Sequence, residues 1–404
     1  MKILYVCHRF PFPPKRGGKI RPFNMIRHLN GSHAVTVASL VRSDVEAEEG
    51  RGLAAHCTDF EMVSVSNPVQ TARMVARLPT RCPSSFGYFY SPELARRIRN
   101  RLAEETFDLI FVHCSSVARY VAGVQGIPKI LDFGDMDSQK WLEYSHYKRF
   151  PLSAGYKLEG IKLAAEERRL ARAFDLCTAT TRAEWQTLES YGTGVATDWF
   201  PNGVDADYFS PASESYEADT ISFIGRMDYY PNQECMIAFC RDVFPRIRER
   251  RPSAKLLIVG ADPVPSIRQL SELPGVTVTG SVPDVRPYLR RSAAMIAPLT
   301  IARGTQNKIL EAMACAVPVV TSRAAAGGVD AIPGTHLLVA DAPDDLAAAT
   351  LVLMNDSNRR HELAQNGRAR MLSHHSWEKS MRRLDGIIER CVGAFAPAGA
   401  MQTA

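Results

Sequence analysis

Strand-length apolar runs alternate with amphipathic helical segments along the whole chain, and the alternation starts afresh after the turn cluster Pro201-Asn202-Gly203-Val204-Asp205. This rhythm implies parallel strands, because each helix must carry the chain back across a sheet face before the next strand begins. The first half predicts strands at Lys2–Cys7, Ala34–Val41, Glu61–Val65, Asp108–His113, Lys129–Phe133, Asp175–Thr180 and Val195–Trp199. The second half predicts them at Thr220–Ile224, Lys255–Val259, Val276–Thr279, Ala294–Ala297, Pro318–Thr321 and Leu337–Val339. We therefore expect an α/β protein of two Rossmann-like, doubly wound domains. Residues 1–203 form the first, joined by a C-terminal helix at about 376–393, and residues 204–375 form the second. Ala212–Asp219 reads as a linker, Gly134–Ser153 as irregular chain, and the tail from Ala394 as disordered.

At 404 residues and 46% hydrophobic content there is enough apolar side chain for two cores. No apolar run approaches the roughly 18 residues of a membrane helix. The N-terminus reads as a first strand and not as a signal peptide. Nine cysteines are scattered without a Cys-x-x-Cys pair, which fits a reducing, cytoplasmic setting and predicts no metal site. The net charge of +6 falls entirely on the first 203 residues. It suggests an anionic partner on that side, a phosphorylated acceptor or a peripheral contact with an anionic membrane face, and reads equally as a solvated basic surface. Nucleic acid is not expected. The helix predicted at Gly155–Ala173 mixes Arg and Lys with Glu, so its attraction to anionic lipid is expected to be weak.

Ligands of doubly wound sheets bind at the carboxyl ends of strands. In the second half, the stretch Arg303-Gly304-Thr305-Gln306-Asn307-Lys308-Ile309-Leu310-Glu311 follows a strand and opens a helix predicted over Thr305–Cys315. Gly304, Lys308 and Glu311 are then spaced to share one helix face. A helix N-terminus and a lysine suit a diphosphate, and a carboxylate two turns on suits ribose hydroxyls. The same spacing also describes an ordinary exposed Lys–Glu pair. The strand Ile221–Ile224 ends in Gly225-Arg226, where a guanidinium can clamp phosphate.

In the first half, strand one runs into a loop carrying Lys15, Arg16, Gly17, Gly18, Lys19 and Arg21, anion-seeking and open to close backbone approach. It is neither Gly-x-Gly-x-x-Gly nor a Walker sequence, which argues against a dinucleotide dehydrogenase or an NTPase. His113 closes one strand and reads as a site residue or as a structural histidine. Asp132, Asp135 and Asp137 flank another strand end and suit helix caps or acceptor hydroxyl contacts better than a metal.

Taken together and in order, Gly17-Gly18, the stretch 201–205 with Tyr208-Phe209, Gly225-Arg226, Val259-Gly260, Gly280-x-Val282, Leu310–Ala314 with Val317–Val320, Gly327-Gly328 and Ser376-Trp377 resemble glycosyltransferase family 4. More narrowly, Asp132–Trp141 and Arg303–Ala314 resemble the sugar transferases associated with PEP-CTERM/exosortase exopolysaccharide systems. The resemblance implies a retaining, metal-independent GT-B enzyme with two domains facing across a cleft. It uses a nucleotide-diphosphate sugar, a glycan or lipid-linked acceptor, and no cofactor. It also implies roles. Arg226 and Lys308 stabilise the leaving diphosphate, Glu311 holds the ribose, the Gly17-Gly18 loop with Lys15 and Arg21 meets phosphate or acceptor, and His113 touches the donor sugar. Arg303 stands where the family's first acid of the Glu-x7-Glu pattern belongs, which leaves the donor sugar open. The usual lysine after Gly-Arg is also missing from Met227–Asn232. A non-catalytic nucleotide-sugar-binding partner and a sugar-nucleotide epimerase are the alternatives.

Overall fold

The computed structural model describes residues 1–15, 17–212 and 216–395. Arg16 of the basic loop, the centre of the expected linker and the tail beyond 395 lie outside the described residues.

The chain divides into two compact units, Met1–Phe200 together with the residues from Met381 on, and Pro201–Ser380. The first unit is built on seven strands, β1 (Lys2–Cys7), β2 (Ala34–Val41), β3 (Asp59–Ser64), β4 (Leu109–His113), β5 (Lys129–Asp132), β6 (Leu176–Ala179) and β7 (Ala196–Trp199). They lie in the order β3-β2-β1-β4-β5-β6-β7, every pairing parallel. The second unit has six, β8 (Glu217–Ile224), β9 (Lys255–Val259), β10 (Val276–Gly280), β11 (Ser292–Ala297), β12 (Val319–Thr321) and β13 (Leu338–Val339). Their order is β10-β9-β8-β11-β12-β13, again all parallel. Both are doubly wound Rossmann-like sheets, the pair that defines the GT-B fold.

The central strands β1, β4 and β11 are buried on both faces, so they are unbroken apolar runs. The edge strand β3 is largely half-exposed and carries Asp59 and Glu61. Pro92 at the first turn and Ser91 capping Leu94 N–H start the helix Pro92–Glu104 where the sequence places it. Of the helix Trp377–Ala394, Leu384, Ile387, Ile388 and Cys391 are buried, and Asp385 takes a 2.8 Å hydrogen bond with His28.

Four segments depart from expectation. Gly134–Ser153 is not irregular: it contains the helix Asp137–Tyr147, which lies against the long helix Leu152–Ala171. The approach is close because Gly160 has no side chain; a Cβ there would sit 2.7 Å from Leu142 Cγ. The rings of Trp141 and Tyr156 meet across the same contact, tilted at 35° with centroids 4.9 Å apart. Secondly, the expected linker ends early, since β8 begins at Glu217. Thirdly, the single helix expected over Cys235–Glu249 is Tyr230–Ala238, a π-turn at Phe239–Val243, and Phe244–Arg250. Pro245 has no N–H to donate to the carbonyl four residues back, and the wider turn absorbs that loss. Finally, the helix expected from Thr305 starts at Asn307, because Gly304 turns the chain with φ +64°.

Gly160→Val drives two helices apart and is expected to destabilise the protein by about 1–3 kcal/mol. A denaturant midpoint equal to the parent's would show that the helices do not depend on that approach.

Candidate active site

In the second unit, β8 and β9 end in Gly225 and Gly260, both at positive φ (156° and 152°). A Cβ on Gly260 would fall 1.7 Å from the Gly225 carbonyl oxygen, so the two strand ends meet backbone to backbone. Above them stands Asn232, buried in the helix Tyr230–Ala238. Its amide donates to the Arg226 carbonyl at 2.8 Å, and its oxygen accepts from Lys308 Nζ at 2.6 Å. The ammonium also lies 4.3 Å from the centre of the Phe223 ring. A side chain on Gly225 would be forced against Asn232 and Lys308. The missing side chain thus lets Asn232 and the Lys308 ammonium close on the carboxyl end of β8.

Lys308 and Glu311 are half-buried on the helix Asn307–Ala314. Burial pushes the lysine down to about 8, against the opposing pull of Cys235 and Glu311. Burial also pushes Glu311 up to about 7, with Lys308 acting the other way. The pair therefore titrates across the neutral range, as groups poised for ligand do.

The remaining expectations in this unit are met differently. Gly304 is not on the helix face with Lys308 and Glu311: its loop packs on Gly328, where a Cβ would fall 2.0 Å from the Gly304 carbonyl oxygen. Thr305 Oγ1 is buried in that loop without a hydrogen-bond partner. The Arg303 carbonyl accepts from Gln306 at 3.1 Å. The Arg226 guanidinium is turned to Asp228, at 2.7 and 3.0 Å, and to Asp262. It meets an anionic ligand only by exchanging those carboxylates.

In the first unit the carboxyl ends of β4, β5 and β6 converge on Asp132, which is fully buried. Arg21 grips it with two bonds of 2.9 and 3.0 Å, His113 Nδ1 lies at 2.7 Å, and Thr178 Oγ1 donates at 2.9 Å. Arg21 also donates to the Phe200 carbonyl at 3.0 Å and lies 3.7 Å from that ring. Burial raises the carboxyl, but Arg21 and the His113 hydrogen bond outweigh it and hold Asp132 well below the usual range. The Asp132 contact fixes Nδ1 of His113 as the bonded nitrogen and leaves Nε2 to face away from it. Cys114, immediately beyond, sits at φ +84°, a strained conformation at the strand end.

The basic loop is corrected by these contacts. Lys15 pairs with Glu49 at 3.3 Å, Lys19 with Glu46 at 2.6 Å, and Arg21 lies buried in the helix Gly17–Leu29 against Asp132. Gly17 and Gly18 are exposed at the start of that helix. A Cβ on Gly18 would lie 3.6 Å from the Arg9 side chain and 3.8 Å from His8. His8 lies beside them, and no local pattern in the sequence marks it. Its Nδ1 is buried without a partner, and burial together with His113, Arg9, Lys140 and Arg42 pushes it well below the ordinary histidine value. Asp135 is exposed after Gly134, and Asp137 opens the next helix without capping it. The loop between them is held by buried acids: Glu184 accepts from Met136 N–H at 2.9 Å and Glu167 from Ser138 N–H at 3.0 Å.

Two families match the chain, Glycosyltransferase Family 4 over residues 16–208 and Glycosyl transferases group 1 over 218–356. The phosphatidyl-myo-inositol mannosyltransferase of Mycobacterium tuberculosis is 26% identical over 325 residues, covering 76% of this chain and 80% of that enzyme. A GDP-mannose-dependent monoacylated alpha-(1-6)-phosphatidylinositol monomannoside mannosyltransferase of Corynebacterium glutamicum is 24% identical over 244 residues. That match covers 55% of this chain and 64% of the enzyme. Among solved structures, the sucrose-phosphate synthase of Thermosynechococcus elongatus superposes with a TM-score of 0.72 at 16% identity, over 98% of this chain and 100% of that one.

Arg21→Met leaves the Asp132 carboxylate buried without its cation and is expected to cost about 3–5 kcal/mol of stability. Since the folded pKa of Asp132 lies below its unfolded value near 4, this stabilisation is complete above about pH 4 and is lost as pH falls below it. Asp132→Asn should flatten that acid limb of the stability–pH curve; an unchanged limb would place the acid sensitivity elsewhere.

Proposed function

Because the chain belongs to glycosyltransferase family 4 and is a transferase taking its sugar from a nucleotide sugar, we propose that the carboxyl end of β8 at Gly225, where Lys308 and Asn232 meet, receives the donor diphosphate. The observation that carries this is the half-buried Lys308 ammonium, held by Asn232 beside Gly225 at the carboxyl end of a central strand. Glu311, one turn along the same helix, accepts the ribose hydroxyls. Arg226 leaves Asp228 and Asp262 to join the phosphate when the donor binds. Thr305, whose hydroxyl lacks a partner, bonds the same ligand.

As the bond from the anomeric carbon to the phosphate oxygen breaks, negative charge grows on the diphosphate. Lys308 and Arg226 stabilise that charge more in the transition state than in the ground state. Transfer is retaining: the acceptor oxygen bonds the anomeric carbon on the face the phosphate leaves, and its proton passes to a phosphate oxygen. In the first unit, His113, locked by Asp132, serves the sugar, and Gly17-Gly18 with Asp135 and Asp137 serves the acceptor. GDP-mannose is the donor to try first, given the relatives' dependence on it. The acceptor is a lipid-linked glycan, and the setting is exopolysaccharide assembly at the inner face of a membrane. No helix among the described residues is long and apolar enough to cross a membrane.

Mass spectrometry of lipid-linked glycans incubated with the purified chain and GDP- or UDP-sugars should show one hexose added. Lys308→Ala and Glu311→Ala are each expected to lower the rate about 10²–10³-fold with the fold intact; parent-like rates in both would remove this site. Affinity for the nucleotide sugar should be highest between about pH 7 and about pH 8. It falls below that window as Glu311 takes up a proton and above it as Lys308 loses one. Calorimetric titration checks the sign, since Glu311→Gln should abolish the acid limb alone.

A further inference from the structure

The helix Leu152–Ala171 carries acids as well as bases, but the fold sorts them. Glu159, Glu166 and Glu167 are all turned inward and engaged. Glu159 accepts from Ser84 and Ser85, Glu166 takes Arg119 and Arg169, and Glu167 takes Ser138 and Tyr191. What reaches solvent is Lys157, Leu158, Ile161 and, beyond them, Arg168, Arg169 and Arg172. The weak attraction to anionic lipid expected from the mixed composition is thereby reversed, because no acid of this helix remains on its outer face.

A second segment completes the surface. Between Glu61 and Glu93 the sequence contains no acid, while Arg73, Arg77 and Arg81 fall within it. Val69, Val75 and Leu78 are exposed there, Leu78 by 53%. Lys162 Nζ donates to the Leu78 carbonyl at 2.7 Å and fixes this segment against the helix. Between them runs a groove of about 500 Å³ walled by Leu78, Pro79, Leu158 and Ile161 and rimmed by Arg81 and Lys162. Leu158 and Ile161 are 52% and 54% exposed. Large aliphatic side chains set among cations, with no acid between them, match a surface that is apolar below and negatively charged above.

We propose that this face of the first unit docks on a bilayer of anionic phospholipid. Leu78, Leu158 and Ile161 enter the acyl boundary, and Arg81, Lys157 and Lys162 meet the headgroup phosphates. The contact is independent of the transfer chemistry.

Sedimentation of the full chain with vesicles tests it, using pure phosphatidylcholine and phosphatidylcholine with 30% phosphatidylglycerol. The chain should partition onto the anionic vesicles and be released by salt. Arg81→Ser and Lys157→Ser should each weaken that partition about fivefold, and Leu158→Ser with Ile161→Ser should abolish it. Thermal stabilisation by a nucleoside diphosphate, retained in every variant, shows that each is folded and keeps donor binding separate from docking. Equal partition onto both vesicle types, parent-like binding by the variants, or a concentration-dependent dimer that the Leu158 and Ile161 changes dissolve would each overturn the proposal, the last by making a second copy the occupant.

Discussion

Asp132 is a charge with no route to water, and the first unit is arranged around keeping it ionised. An uncompensated carboxylate in such a place would take up a proton or unfold its surroundings. Four groups prevent this, and each arrives from a different part of the chain: Arg21 from the first helix, His113 from the end of β4, Thr178 from β6, and, through Arg21, the Phe200 carbonyl where the chain leaves the sheet. The network costs the helix Gly17–Leu29 its freedom to supply Arg21 to a ligand. In return it orients one imidazole and defines which of its nitrogens remains available.

The second unit treats its charges in the opposite way. Lys308 is held by a neutral amide and an aromatic face, with no carboxylate in direct contact among the described residues. Burial lowers its affinity for protons. Arg226, held by three hydrogen bonds to the carboxylates of Asp228 and Asp262, is the contrary case.

How much of this is readable in the sequence depends on whether a residue's signal is local. Strands such as β1, β4 and β11 are legible because burial on both faces makes them continuous apolar runs. The helix Asp137–Tyr147 is not, since its polar and aromatic residues hide its period and its place depends on an absent side chain at Gly160. Lys308 and Glu311 can be picked out by spacing, whereas Asn232, which positions the lysine, is an ordinary amide until the fold brings it there from far along the chain. Lys15, Lys19 and Arg21 look like one anion-seeking group because sign is visible in a sequence and partners are not; Glu49, Glu46 and Asp132 each claim one of them. The same blindness applies in reverse to the helix Leu152–Ala171, whose acids count in its composition but not on its surface.

The meeting of Gly225 and Gly260 bears on how such a protein can change over generations. At Gly260 the obstacle is another residue's main chain, which cannot yield, and at Gly225 the backbone conformation itself, φ 156°, disfavours a side chain. Sequence drift in this corner is therefore confined to the residues that flank the two strand ends. Variety must come from the loops around them, such as Arg303–Gln306, while the two strand ends stay the same.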